Sequence, residues 1–514
     1  MTENLMNIRT HAMANPEKPA VIISDSGAAL TFKELDDRSF ALAVALRERG
    51  MEPGSHLAIL LENDLPYYVV AWAAQRSGFF YTPVNWHLTG RETSYVIEDS
   101  GASAIATSPQ LVEKASACAL ALTSPALSLV TKGPVKNFES LDEMIDAHLG
   151  VSSGATFAEI EGSYMFYSSG TTGVPKGIKR SLTNEPFGSP KPSDPMMKSL
   201  FDFSSDTVFL CPAPLYHAAP LGWSMTAQRL GGTVILMDHF DPVEFLRAIE
   251  KYKVTGVQVV PTMFVRLLKL PEEVRNSFDL SSLRMVVHAA APCPVEVKIK
   301  MLEWLGPIIR EYYAGSEGTS FFTIGAQDWI NHKGSVGQNT MGSVHILDEE
   351  GNELPNGDIG VVWFDSPHSF EYHNDPVKTA EAFNDRGWNT LGDMGRIDDE
   401  GYLYLSDRRT NLIVSGGANI YPQEVEDILV LHPDVDDVAV IGVHDEDMGQ
   451  RVLAVVSPAN PAAAGPELAD QLIEFCRERL AHYKCPRQVV FDADLPRLPT
   501  GKLAKRLLRD RYPG

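Results

Sequence analysis

The chain has 514 residues, with 44 Lys and Arg against 67 Asp and Glu, for a formal net charge of −23. Hydrophobic residues at 44% and charged residues at 22% fit a globular protein of two to four folding units at roughly 150 residues each. So acidic a surface repels nucleic-acid phosphates and anionic lipid; non-specific binding to either is excluded, and a bound polyanion needs a local basic site.

The chain opens with Glu3 and no apolar stretch, unlike a secretory signal. The longest charge-free run, between Lys114 and Lys132, is broken by Ser, Thr and Pro125, so no membrane span is expected. Tyr164–Tyr167 reads as a strand. It leads into Tyr167-Ser168-Ser169-Gly170-Thr171-Thr172-Gly173-Val174-Pro175-Lys176-Gly177. Glycines let backbone N–H groups converge on an anion, hydroxyls donate further hydrogen bonds and the lysine adds a cation, so this reads as a phosphate-cradling loop. A Walker A loop aligned on Lys176 fails, because Pro175 stands where Gly is needed and Gly177 where the magnesium-binding hydroxyl is needed. A Ser/Gly-rich surface loop is the plainer alternative.

Further on, Gly232–Met237 predicts a strand. Asp241-Pro242-Val243-Glu244 gives an N-cap, a proline at N1 and an acid at N3 for a helix to about Lys251. Val254–Val260 predicts the next strand, making a βαβ unit and hence a parallel sheet. Leu283–Val287 predicts another, ending in the small-residue run Ala289-Ala290-Ala291-Pro292. Tyr402–Ser406 and Leu412–Val414 alternate like the strands of a hairpin before Gly416-Gly417. A helix is expected from Pro422, strands over Val438–Val443 and Val452–Ser457, and an amphipathic helix over Pro466–Leu480 with Leu468, Leu472, Phe475 and Leu480 inward. The polar run Asp407–Asn411 marks the boundary between a large α/β body, 1–409, and a small α+β module, 410–514. No period of 20–50 residues repeats. Cys118, Cys211, Cys293, Cys476 and Cys485 are scattered without C-x-x-C or histidine at ligand spacing; no disulfide framework or structural zinc is expected, and a reducing cytoplasm fits. The final RYPG matches neither a peroxisomal address nor a prenylation site.

The loop Ser168–Gly177 closely resembles the signature loop of the adenylate-forming (AMP-binding) superfamily, which contains acyl-CoA synthetases, luciferases and peptide-synthetase adenylation domains. Further segments resemble its other motifs in chain order, from residue 167 to 502. Pro214-Leu215-Tyr216-His217 is similar to the segment whose histidine borders the acyl pocket. Ala218, Ala219 and Gly222 follow it, and Ala289 lies across. Ala290, Ala291 and Pro292 fall in the segment that packs on adenine. Tyr313-Ala314-Gly315-Ser316-Glu317 matches a further motif with Ala for Gly and Ser for Thr, which places Ser316 at the α-phosphate and Glu317 as a Mg²⁺ ligand. Trp388–Asp393 supplies the aspartate for the ribose hydroxyls, and Ser406-Asp407-Arg408 the family's arginine. Ser415, Gly416 and Gly417 would line the pantetheine path. His482–Arg487 is a candidate source of cations for the CoA phosphates. Pro499-Thr500-Gly501-Lys502 carries the catalytic lysine.

The resemblance implies a multi-subdomain body of the acyl-CoA synthetase type with a mobile lid, hinged at Thr410 where the family usually carries Asp or Lys. It implies ATP, Mg²⁺ and coenzyme A, and a small carboxylic acid as substrate. Ser168, Ser169, Gly170, Thr171, Thr172, Gly173 and Lys176 would hold the phosphates; Lys502, Glu317, Thr172 and His217 would be catalytic. A carboxylate oxygen would attack the α-phosphate, expel pyrophosphate and give an acyl adenylate, from which CoA displaces AMP. Small residues after His217 suggest a bulky aromatic, aryl-propenoic, fatty or sterol side-chain acid. An amino acid is disfavoured because no aspartate for its amino group is evident there. An adenylating enzyme serving a carrier protein shares every nucleotide motif, but no carrier domain is read after the lid. A luciferase-like oxygenase and a non-catalytic nucleotide-binding protein are further alternatives. Ala314-Gly315-Ser316-Glu317-Gly318 approaches the G-x-S-x-G of a serine hydrolase but has Ala at the first glycine. A homodimer is the base-rate expectation.

Overall fold

The computed structural model describes residues 5–151, 157–168, 175–497 and 503–513. It divides into two compact units. One comprises Met1–Val259, Glu273–Val286 and Phe370–Thr379; the other comprises Val260–Glu272, Val287–Ser369 and Ala380–Gly514.

The first unit is built on parallel sheet. Six strands lie in the spatial order Glu139–Ser140, Leu127–Val130, Ala102–Thr107, His56–Leu60, Phe80–Pro83, Ser163–Tyr164, every pair parallel. His56–Leu60 and Ala102–Thr107 are buried at every position, as expected when helices cover both faces of a parallel sheet. The helix Phe32–Glu48 starts on a capping box in which Thr31 and Glu34 satisfy each other's backbone N–H groups. A second parallel set runs Pro19–Ile23, Thr233–Leu236, Val208–Cys211, Gly256–Val259. Asp241 caps the helix Pro242–Tyr252 through the amides of Val243 and Glu244, as read from sequence. The two strands flanking that helix are parallel but not adjacent, because Val208–Cys211 pairs with both; nothing in a local pattern records a strand inserted from elsewhere in the chain.

In the second unit, Ile309–Tyr313 pairs antiparallel with Phe322–Gly325. The strands Ser343–Leu347, Gly360–Asp365, Asn389–Ile397 and Leu403–Arg408 form an antiparallel sheet. The hairpin expected between Tyr402–Ser406 and Leu412–Val414 does not form. Leu403–Arg408 pairs back onto Asn389–Ile397, and Ile413–Ser415 forward onto Ala418–Ile420. Strand alternation fixes which face a residue takes, not which strand is its partner.

The end of the chain folds on Val435–Asp445, Gly449–Pro458 and Gln488–Phe491. Period-two alternation sends Val438, Val440 and Val452 toward Val425 and Leu429 of the helix Pro422–Leu429 and Leu468 and Leu472 of Pro466–Arg477. Ala439, Ile441 and Leu453 face Leu508 of the helix Lys505–Arg511. Cys476, rather than Phe475, is the third fully buried residue of Pro466–Arg477; Phe475 and Leu480 are half-buried.

Candidate active site

The phosphate-loop reading falls on a hairpin in the first unit. Phe166–Ser168 pairs antiparallel with Lys176–Lys179, with Ser168 opposite Lys176 and Tyr167 opposite Gly177. Ser169, Gly170, Thr171, Thr172 and Gly173 lie outside the described residues, as does Lys502. The hairpin base is held from one side by Tyr167, whose phenol donates to Asp99 Oδ2 at 2.6 Å. Burial, then that carboxylate, pushes the phenol's pKa up. Asn374 donates to the same aspartate, at 3.1 Å to its carbonyl and 3.3 Å to Oδ1, and the His373 amide donates to Gly177 O at 2.8 Å. A Cβ on Gly177 would lie 2.5 Å from Met165 Cε, so the glycine leaves room for that side chain against the strand. The Lys176 ammonium sits 4.4 Å above the Tyr372 ring. A lysine next to a hydroxyl- and glycine-rich stretch of sequence suits a triphosphate in a protein otherwise strongly negative.

His217 is the N-cap residue of the helix Ala218–Arg229. The preceding turn is pinned by Asn63, whose side chain donates to Ala213 O at 3.2 Å and Met237 O at 2.9 Å and accepts from the Leu215 amide at 2.9 Å. Aromatic rings lead up to it: Trp86 to His87 at 3.5 Å, His87 to Tyr216 at 6.4 Å, and Tyr216 to His217 at 4.5 Å between centroids. Ala218, Ala219 and Gly222 are half-buried, and a Cβ on Gly222 would meet nothing within 4 Å.

The strand Met285–His288 ends at buried Ala289 and exposed Ala290, Ala291 and Pro292. Ala290 has φ +75°, a left-handed backbone uncommon for a residue with a Cβ. Beneath this run His288 is fully buried beside the Lys298–Glu311 ion pair. Burial pushes the imidazole's pKa well down and the Glu311 carboxyl up, the latter opposed by Lys298. Tyr313 ends its strand, and Ala314, Gly315, Ser316 and Glu317 form a turn closed by the Gly318 amide on Gly315 O at 3.1 Å. Gly315 lies close under two side-chain ends: a Cβ would fall 2.7 Å from Glu317 Oε2 and 2.7 Å from Leu391 Cδ1. The turn leads into the antiparallel strand Phe322–Gly325, not into the helix that a nucleophile elbow requires, so Ser316 is not presented as in a serine hydrolase.

The Tyr313 phenol donates to Asp393 Oδ2 at 2.6 Å, orienting a carboxylate able to accept from a diol. Thr319 donates to Asn389 Oδ1 at 2.7 Å, and Asn389 donates to Phe364 O at 3.2 Å, locking the two motifs together. Register places Asp393 opposite Arg408. Ser415 is buried, and Gly416 and Gly417 form a two-residue turn with φ of +57° and +81°; both positive values belong to the hairpin turn that glycine favours. A Cβ on Gly417 would meet nothing within 4 Å, and both glycines are exposed.

For the metal, no group of three or more His, Cys, Asp or Glu side chains occurs among the described residues. Half-buried Glu317 beside an open turn fits Mg²⁺, which takes one or two carboxylates and completes its shell with phosphate and water. Sequence reasoning singles out Tyr313 and Asp393 separately and misses the bond between them. It also misses Asp99, Asn63, Asn389 and the Lys298–Glu311 pair. Their partners come from other strands and turns, and no local motif marks them.

Lys176 at a hairpin base, the small residues after His288, Asp393 oriented by Tyr313 and half-buried Glu317 are groups that suit a nucleotide-dependent acyl-activating enzyme. The AMP-binding enzyme family model matches residues 8–372, and the AMP-binding enzyme C-terminal domain matches 424–502; the chain belongs to this family. It is 33% identical over 496 residues to a feruloyl-CoA synthase of Amycolatopsis sp., covering 96% of each chain. It is 30% identical over 511 residues to the long-chain-fatty-acid–CoA ligase FadD13 of Mycobacterium tuberculosis, covering 98% of this chain and 97% of the other. The amide bond synthetase McbA of Marinactinospora thermotolerans superposes with a TM-score of 0.80 at 27% identity, covering 98% of this chain and 99% of that one. The chain is an AMP-forming acid–CoA ligase, which uses ATP, Mg²⁺ and coenzyme A.

Proposed function

We propose that the acid activated is a bulky aryl-propenoic acid, converted through its acyl adenylate to the CoA thioester. The observation that carries this is the run of rings from Trp86 through His87 and Tyr216 to His217, followed by the open face of Gly222. Flat aromatic acids stack on such rings, and the absence of a side chain at 222 leaves width for them. The similarity to a feruloyl-CoA synthase points the same way. Fatty acids, suggested by FadD13, gain nothing from stacking.

Catalysis is positioning and charge neutralisation. The 168–176 loop holds the phosphates with Lys176, Ser316 reaches the α-phosphate, and Lys502 neutralises charge where the carboxylate meets the phosphorus. Glu317 would hold Mg²⁺, which when bound would offset charge on the phosphate oxygens. Ala290, Ala291 and Pro292 receive the adenine, while Asp393, oriented by Tyr313, and Arg408 receive the ribose. A boundary near 409–410, inside the second compact unit, would set the nucleotide-binding residues before it apart from a lid carrying Ser415–Gly417 and Lys502. Five free cysteines support a cytoplasmic site of action, and no helix among the described residues is long and apolar enough to cross a membrane. A homodimer is proposed on base rates alone.

The test is acid-dependent exchange of labelled pyrophosphate into ATP over aryl-propenoic, benzoic, fatty, sterol side-chain and amino acids, with CoA consumption and AMP release measured next. The aryl-propenoates should exchange fastest, and Gly222→Leu should depress them more than short aliphatic acids. Preference for long-chain acids in both proteins would overturn the assignment.

A further inference from the structure

Within the first unit, the strand Lys176–Lys179 is the middle of three, between Phe166–Ser168 and the two-residue strand Glu371–Tyr372. Strands this short fix little by their own hydrogen bonds, and one carboxylate outside the sheet ties both of its edges. Asp99, next to last in the helix Gly90–Ser100, accepts from the Tyr167 phenol of one edge strand at 2.6 Å. Beyond the other edge, Asn374 Nδ2 donates to the same residue, at 3.3 Å to Oδ1 and 3.1 Å to the carbonyl. Asn374 lies two residues past Tyr372 and has φ +56°, a left-handed backbone that asparagine adopts more readily than most residues.

Tyr372 stands opposite Ile178 across the ladder. Side chains alternate along a strand, so Lys176 shares a face with Ile178 and Tyr372. The Tyr372 ring is buried, set edge-on to Phe370 with centroids 5.2 Å apart, and its backbone amide donates to Thr379 Oγ1 at 2.9 Å. The Lys176 ammonium lies 4.4 Å from the centroid of that ring, inside the range at which an aromatic face attracts a cation. A lysine loses rotamer freedom when it takes hold of an anion, and a partner that restrains it beforehand reduces that loss. An aromatic face restrains the side chain and leaves its charge for an incoming phosphate.

We propose that Tyr372 is a positioning residue for ATP: its ring, in a segment anchored to Asp99 through Asn374, presents the Lys176 ammonium to the phosphates. The inference rests on the reading of Lys176 as a phosphate-binding residue. The ring acts only through the lysine, so its loss weakens the hold on the nucleotide and leaves the hold on the acid alone.

The experiment measures KM for MgATP and for the acid in pyrophosphate exchange, using the acid that wild type exchanges fastest. It compares Tyr372→Leu, Tyr372→Phe, Lys176→Met and the double variant Lys176→Met/Tyr372→Leu. Tyr372→Leu should raise KM for ATP roughly 3- to 30-fold and leave KM for the acid within about twofold. Tyr372→Phe, which keeps the ring face, should stay within about twofold of wild type for both. The double variant should match Lys176→Met alone in KM for ATP, whereas general damage to the fold would add to the loss. An unchanged or lower KM for ATP in Tyr372→Leu, an equal rise in Tyr372→Phe, or additive losses overturns the proposal and leaves the ring a packing residue. If Tyr372→Leu does not fold, exposed Asn374→Gly decides, since it keeps the left-handed backbone and deletes one tether to Asp99. It should raise KM for ATP about two- to fivefold, and an unchanged value overturns the proposal. Lys176→Met with an unchanged KM for ATP would sink the phosphate reading of the lysine itself, whereas a raised value there with unshifted Tyr372 variants sinks the positioning role alone.

Discussion

Gly315 is the residue through which backbone geometry would reach Glu317, the proposed Mg²⁺ ligand. Its missing Cβ would fall 2.7 Å from a Glu317 carboxylate oxygen, and that atom is the far end of a flexible side chain. The fold can therefore absorb Gly315→Ala by moving the carboxylate. Thermal stability should hold, while half-saturation by Mg²⁺ in pyrophosphate exchange should rise about tenfold, as when a metal ligand's support is disturbed. Glu317→Ala should exceed that effect, and equal magnesium curves for all three proteins would remove the carboxylate from the site. His56 is a second residue whose environment has a measurable consequence. It stacks on Phe80 at 4.7 Å and is held to a pKa of about 3 by burial, then by Lys179 and His373. An unfolded chain takes up this proton near 6.5 and the folded one only near 3, so stability falls as pH drops through that interval. His56→Phe keeps the stacking and should make the acid limb shallower by up to about 1.4 kcal/mol per pH unit, read by urea denaturation at about pH 4 to 7.

The hairpin Ile413–Ser415 and Ala418–Ile420 depends on its two turn glycines. An L-residue there costs about 1–2 kcal/mol. At Gly416 a Cβ would also land 2.3 Å from Met448 Cε, next to the bond from the Gly416 amide to Met448 O at 2.8 Å. If this turn lines the pantetheine path, Gly416→Ala should slow thioester formation from acyl adenylate more than it slows pyrophosphate exchange. Gly417→Ala, with open space around the new Cβ, should show the smaller difference. A parallel loss in both half-reactions would assign the turn to folding only. The Gly-Gly pair is legible in sequence as a turn; its contact with Met448 is not, because that residue arrives from the next strand pair.

Across the first unit, fully buried Arg76 binds together elements far apart in the chain. It reaches Asp36 at 2.6 Å and Glu159 at 2.7 Å, and donates to Ser39 Oγ at 2.8 Å, between the rings of Phe40 and Phe187. Arg76→Met leaves two carboxylates, each 11% exposed, with Arg9 as their cation. Breaking a buried pair costs about 3–5 kcal/mol, and urea denaturation should find a loss near the lower end because Arg9 stays. A loss below about 1 kcal/mol would mean the network contributes little.

The motifs, their order and most elements could be read from the chain alone, because phosphate loops, caps and alternating strands are local patterns of a few residues. Asp241 capping the helix Pro242–Tyr252 and the Gly416–Gly417 turn were determined in this way. Only the tertiary structure decided which strands pair, that Tyr313 orients Asp393, and that Asp99 takes both Tyr167 and Asn374. Hydrogen bonds and ion pairs are selected by distance in space, and residues far apart in the chain carry no mark of one another until packing brings them into contact.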